Sequence, residues 1–225
     1  MTRFIAEIGS NHNRDPTRAH ALIDASAAAG CDAVKLQLFR VDDLFAPEAL
    51  AANPQLDQRR AWELPLEMLP DIRSQCDAAG LELGVTPFGL WAVEELAGYV
   101  DFLKVASYEI LWHDLLRACV ATGKPLVLST GMASEDEIAG AVDAVGGELT
   151  LLHCVSGYPT PPQQANLAAI GTLRERFGCP VGWSDHTGVE SVIAQAVLRW
   201  HASDVELHID LDHGGFEDGE HNWSP

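Results

Sequence analysis

Two of the chain's three lysines lie inside apolar runs: Lys35 in AVKLQLF and Lys104 in FLKVAS. An ammonium group buried there without a partner would cost several kcal/mol, so each lysine needs an anion beside it. A bound anionic ligand would serve, with Thr86, Ser107, Ser129 and Ser184 as neutral donors round it. Structural ion pairs with Glu7 or Glu206 would also serve. A third reading makes Lys104 a Schiff-base nucleophile, because desolvation and a second cation lower a lysine pKa. Two histidines add a different chemistry. His186 in VGWSDHTGVE and His208 in DVELHID each close an apolar run, with Ser184 and Glu206 two residues upstream. Two imidazoles with positions left for oxygen ligands suit a divalent ion such as Mn²⁺, Co²⁺, Fe²⁺ or Zn²⁺. Glu206 is then a third ligand or an acceptor for an imidazole N–H. His12, His153 and His221 are weaker candidates, and His153 in LLHC reads equally well as a satisfied core histidine.

These residues can meet only if the elements that carry them end together. Eight β-rich runs, at residues 4–9, 33–39, 81–88, 102–107, 125–130, 149–155, 180–186 and 204–210, alternate with helical stretches. That alternation marks parallel βα units and predicts a single (β/α)₈ TIM barrel over residues 1–225. An open doubly wound sheet has the same period and stays as the alternative. Helix boundaries are legible too: Gly30 closes PTRAHALIDASAAAG, while Ser134 and Glu137 form a capping-box pattern before IAGAVDAVG. In a barrel, polar residues late in each strand gather at the C-terminal mouth, and side chains two apart share a face. Lys35 with Gln37, Ser184 with His186, and Glu206 with His208 therefore project inward. Residues 40–63 are too long for an ordinary connection and read as a lid or binding loop. The tail after Asp210 has no helical period, so the eighth helix is expected to be absent or atypical.

Composition excludes several classes. A net charge of −19 opposes the counterion release that drives binding to nucleic acids, and it opposes anionic membranes. No apolar run approaches the roughly 20 residues of a membrane span, and the N-terminus has no signal-peptide pattern, so a cytoplasmic location is expected. Five scattered cysteines without a CxxC pair suggest reduced, buried thiols.

The motifs AEIGSNHN, GCDAVKLQLF, TPFG, KVASYE, GKPLVLSTGMAS, LLHCVSGYPTPP, NLAAI and VGWSDHTG, in that order from residue 4 to about 210, resemble the sialic acid synthase family, the N-acetylneuraminate synthases and their relatives. The resemblance implies condensation of phosphoenolpyruvate with an amino-sugar aldehyde, N-acetylmannosamine-like, to give a nonulosonic acid and phosphate. It implies a divalent ion, most commonly Mn²⁺, on His186 and His208, and a homodimer. Carried over by position, Lys35, Thr86, Lys104, Ser107, Ser129, Ser184 and Tyr158 surround phosphoenolpyruvate, and Glu7 and Gln37 lie near the sugar. Ser156 stands where many members have Asn. Glu7 or Glu206 would steer water. The family's sugar-contacting aspartate has three candidate replacements here, Asp210, Asp212 and Asp218. Two other classes compete: a 3-deoxy-sugar-acid phosphate synthase or Lys104 aldolase, and a non-catalytic barrel that binds a sugar or anion.

Overall fold

The computed structural model describes residues 1–217, 219 and 221–224. Parallel strands β1 (Arg3–Gly9), β2 (Ala33–Leu38), β3 (Glu82–Pro87), β4 (Phe102–Val105), β5 (Leu126–Ser129), β6 (Leu149–His153), β7 (Val181–Asp185) and β8 (Asp204–His208) pair in sequence order. β8 then pairs with β1, from Arg3↔Asp204 to Glu7↔His208, and the sheet closes. Closure removes the open-sheet alternative. The helices α1 (Pro16–Ala28), α2 (Val41–Leu44), α3 (Pro47–Ala52), α4 (Leu69–Ala79), α5 (Leu90–Leu96), α6 (His113–Ala121), α7 (Glu135–Val145), α8 (Ala168–Phe177) and α9 (Glu190–Leu198) fall between the strands. Their starts are coded locally. The Asp15 carboxylate accepts from Thr17 N ahead of α1, and Ser134 with Glu137 forms the reciprocal capping box of α7.

Two apolar layers hold the barrel. Between sheet and helices lie Leu22, Ile23, Leu36, Ile72, Leu115 and Ile170, all fully buried, each contributing about 1.5–3 kcal/mol by its removal from water. The lumen holds a smaller cluster of Ile5, Ala33, Phe102, Val127 and Leu152. Gly84 on β3 is what admits the Phe102 ring, since a β-carbon there would overlap it. Arg3 stacks 4.7 Å over the same ring and binds Asp204 at 2.6 Å and Glu82 at 2.9 Å. The N-terminal end of the lumen is thus closed, and polar residues occupy the other end.

Residues 40–63 are not an open loop. They fold into α2, α3 and a 3₁₀ segment (Pro54–Trp62), pinned by Arg60 to Asp42 and by Trp91 Nε1 donating to Asp43 at 2.7 Å. After β8 the described residues form turns, with Ile209 bridging Trp223. Among the described residues no helix is long and apolar enough to cross a membrane.

Candidate active site

Strand register assembles the site. On β1, Glu7 is paired with Lys35 of β2 on one side and with His208 of β8 on the other, and Ser184 of β7 is opposite Glu206 of β8. These residues line a cavity of about 740 Å³ at the C-terminal mouth. Lys35 Nζ lies 2.5 Å from Glu7 Oε2 and 3.9 Å from Glu206, and it donates to Thr86 Oγ1 at 2.9 Å. Lys104 Nζ donates to Glu206 Oε1 at 3.1 Å, and Ser184 Oγ donates to the same oxygen at 2.8 Å. Gln37 Nε2 donates to Glu7 Oε1 at 3.0 Å. Glu7 and Glu206 are 1% exposed, Lys35 2% and Lys104 6%, so all four charges are out of bulk water. The lysines are therefore ion-paired, and the pairs themselves line the cavity.

The electrostatics follow from this crowding. Burial pushes the Glu206 carboxyl up, but the Lys104 and Lys35 charges outweigh it and hold the group well below the usual range. Burial lowers Lys104, yet Glu206 and Glu7 overcome that and raise it. Glu7 goes the other way: burial and repulsion from Glu206 exceed the pull of Lys35, and its pKa is raised.

Neutral donors complete the wall. Ser107 Oγ accepts from Gly131 N at 3.0 Å and lies 3.3 Å from Cys154 Sγ. Gly131 permits this, because a β-carbon would press on Ser156, Cys154 and Ser107 together. Ser129 Oγ is buried with no hydrogen-bond partner among the described residues. It lines the same cavity as Lys35 and Lys104, and a buried hydroxyl can donate to an anionic oxygen.

The two histidines do meet. Their ring centroids are 5.5 Å apart, and Tyr158 covers His186 at 4.1 Å. His186 Nδ1 donates to Val155 O at 2.8 Å, which fixes the ring and puts its lone pair on Nε2. Burial lowers the pKa of His186 and takes His208 well below its ordinary value, with His186 and His221 adding to the effect on His208. Both rings are thus neutral near pH 7, the form that ligates metal. Among the described residues no three His, Cys, Asp or Glu side chains are grouped to hold a metal ion. The donor set fits a divalent ion that takes two imidazoles and leaves its other positions to oxygen ligands. Val155 O, and not Glu206, is the partner of His186 Nδ1. Glu206 Oε1 is taken by Lys104 and Ser184, while its buried Oε2 has no hydrogen-bond partner among the described residues.

Of the weaker histidines, His221 joins the cavity, 4.9 Å from His208, whereas His12 and His153 do not. His153 Nε2 is bound to Ala165 O at 2.9 Å and the ring packs on Trp183, as a core histidine does.

Asp210 is a correction. It is buried outside the cavity, ion-paired with Arg18, and its oxygens accept from Leu211 N at 2.9 Å and Gly215 N at 2.9 Å. It shapes the tail and is not part of the cavity wall. Asp212 is exposed and bound to Arg18 at 2.8 Å, and Asp218 lies outside the described residues. Two carboxyls that sequence reasoning missed are in the cavity wall, Glu109 and Glu217. Glu109 follows Lys104 in KVASYE and could have been flagged. Nothing local marked Glu217.

Comparison with known proteins decides the family. The model of the NeuB family matches residues 22–224, through the tail and past the point near residue 210 where the motif resemblance ends. The chain belongs to the NeuB family. It is 34% identical over 217 residues to the uncharacterized protein MJ1065 of Methanocaldococcus jannaschii, with 94% of this chain and 63% of that protein covered. It is also 34% identical to the N,N'-diacetyllegionaminic acid synthase of Legionella pneumophila, covering 94% of this chain and 65% of that protein. It thus spans just under two thirds of both relatives. Among solved structures, the N-acetylneuraminic acid synthetase of Leptospira borgpetersenii, in complex with citrate, superposes with a TM-score of 0.92 at 31% identity, over 100% of this chain and 79% of that one. In this NeuB-family barrel two buried lysines and a pair of histidines share one mouth.

Proposed function

We propose that this barrel condenses phosphoenolpyruvate with an N-acylated amino-sugar aldehyde, releasing phosphate and forming a nonulosonic acid. The single observation that carries the reading is the mouth itself: two buried lysines, the partnerless hydroxyl of Ser129 and two neutral histidines face one cavity. Lys35 and Lys104 would hold the phosphate and carboxylate of phosphoenolpyruvate, with Thr86, Ser107, Ser129, Ser156, Ser184 and Tyr158 around them. Placing C3 of the enolpyruvate against the aldehyde carbon is a positioning task, and positioning can supply much of a barrier reduction.

His186 and His208 are the residues that would hold a divalent ion, Mn²⁺ by our reading; bound there, it supplies Lewis acidity toward an aldehyde oxygen. The chain's own groups do the rest. As the new carbon–carbon bond forms, positive charge grows at C2 of the enolpyruvate, beside the buried Glu7 and Glu206 carboxylates that oppose such charge least. Water adds there, its proton passing to Glu7, whose pKa is raised, and on to the former aldehyde oxygen, which becomes the product hydroxyl. The tetrahedral carbon then becomes a ketone as phosphate leaves toward Lys35 and Lys104 with the proton of the added hydroxyl.

The Schiff-base reading of Lys104 is disfavoured, because its pairing with Glu206 raises its pKa and keeps the amine protonated. Borohydride with pyruvate is the test: no trapping on Lys104, together with chelator-sensitive phosphate release from phosphoenolpyruvate, supports the synthase, and trapping rejects it.

A further inference from the structure

Glu217 has no part in that scheme, yet the chain holds it in place from four sides. Its backbone N donates to Asn11 Oδ1 at 2.7 Å, and neighbouring Phe216 N donates to Asn13 Oδ1 at 2.9 Å. Asn11 Nδ2 donates to Ile209 O at 2.8 Å and Asn13 Nδ2 to Gly214 O at 2.8 Å, so the two asparagines after β1 clamp the tail at both ends of the turn. The carboxyl reaches the cavity, where Oε2 accepts from Ser10 N at 2.7 Å and lies 3.5 Å from Gln37 Nε2. Gly9, at φ +54°, leaves the seat vacant: a β-carbon there would collide with the Glu217 carboxyl.

Stability does not account for this arrangement. The carboxyl is brought beside Glu7, with Lys35 and Arg59 pulling against the like charge, in a chain already at −19. A carboxyl clamped into a cavity against like charge serves a ligand. The lysine end of the cavity suits phosphoenolpyruvate. The Glu217 end offers Glu7 and Gln37 with an apolar wall of Phe45, Trp62 and Phe216, which suits a sugar bearing hydroxyl, acylamino and apolar groups.

We propose that Glu217 is a specificity-determining residue of the acceptor subsite, hydrogen-bonding a hydroxyl or acylamino group of the sugar aldehyde. The proposal rests on the synthase reading above. Burial and repulsion from Glu7 raise the carboxyl to about 7, with Ser10 N, Lys35 and Arg59 pulling the other way. A sugar seated over it removes more water and so favours the neutral acid, which both donates and accepts.

Steady-state kinetics on the full chain test it, with phosphoenolpyruvate, Mn²⁺ and whichever amino-sugar aldehyde the wild type turns over. Glu217→Ala should raise the acceptor KM about tenfold, the size of one hydrogen bond, and leave the phosphoenolpyruvate KM within twofold. Glu217→Gln keeps an acceptor for Ser10 N and hence the clamped tail, so its melting temperature should match wild type. In wild type the acceptor KM should rise between pH 6 and 8 as the acid ionises, and in Glu217→Gln this rise should disappear. An acceptor KM unchanged in both variants, or a phosphoenolpyruvate KM that rises in step, overturns the role of Glu217 alone. A wild type that releases no phosphate with any aldehyde overturns the synthase reading beneath it.

Discussion

Replacing Glu206 by Gln would expose the electrostatics on which the site is built. The amide keeps the shape of the side chain and an acceptor for Ser184 Oγ and Lys104 Nζ, but it deletes the charge that neutralises Lys104. Lys104 is 6% exposed, Glu7 near it is already taken by Lys35 at 2.5 Å, and burial raises the Glu109 carboxyl to about 7. Breaking one side of a buried pair costs about 3–5 kcal/mol, and the retained amide dipole argues for the lower end, about 3 kcal/mol. For a chain of 225 residues, with about 2–4 °C per kcal/mol, the melting temperature should fall by roughly 6–12 °C. Scanning calorimetry reads this directly. The double variant Lys104→Met with Glu206→Gln should recover about 2 kcal/mol of that loss, because the uncompensated cation is gone. Acid should tell the same story. The folded Glu206 pKa lies below its unfolded value, so its stabilisation is present above pH 4.5 and is lost as pH falls through the folded pKa. Wild type should therefore lose stability below pH 4.5 more steeply than Glu206→Gln. A variant that melts within 2 °C of wild type, with Lys104→Met simply additive, would refute the paired-charge account.

His208→Ala should leave the melting temperature within a few degrees while abolishing tight Mn²⁺ binding, read by the loss of free-ion signal in an electron paramagnetic resonance titration. Unchanged binding would remove His208 from the metal site. Asn11→Ala removes the Ile209 and Glu217 contacts of the tail clamp and leaves those of Asn13, at a cost of about 1–3 kcal/mol for the buried groups left unpaired. Hydrogen exchange should then quicken over residues 209–217 and stay slow in the strands; uniform protection would show that the clamp is dispensable.

Which side chains face the lumen was legible in the sequence, and so were Glu7 and Glu206 as candidate partners of the lysines, but not which carboxylate takes which lysine. Period two places Lys35, Gln37, Glu206 and His208 on the inner face, and the structure puts all four in the cavity. That Glu7 neutralises Lys35 and Glu206 neutralises Lys104 depends on strand register and on reach across the lumen, which no local pattern encodes. Barrel closure has the same origin, since the pairing of Glu7 with His208 joins residues 201 positions apart only after folding. The tail misled for a related reason. Asp210 was one of three candidate carboxylates, but Arg18 on α1 claims it. Glu217 was silent because its seat is made by Gly9, Ser10 and Asn11 from the other end of the chain. The segment at 40–63 was recognised as unusual from its length; its short helices were hidden because such pieces are set by contacts such as Arg40 on Trp91.

The most direct test of the central claim is a screen of amino-sugar aldehydes with phosphoenolpyruvate and Mn²⁺, reading phosphate and the mass of the product together. The account predicts stoichiometric phosphate and a new acid three carbons longer than the acceptor, both lost on adding a chelator and in Lys35→Met. Phosphate release that needs no aldehyde, or a product formed from pyruvate without phosphoenolpyruvate, would contradict it.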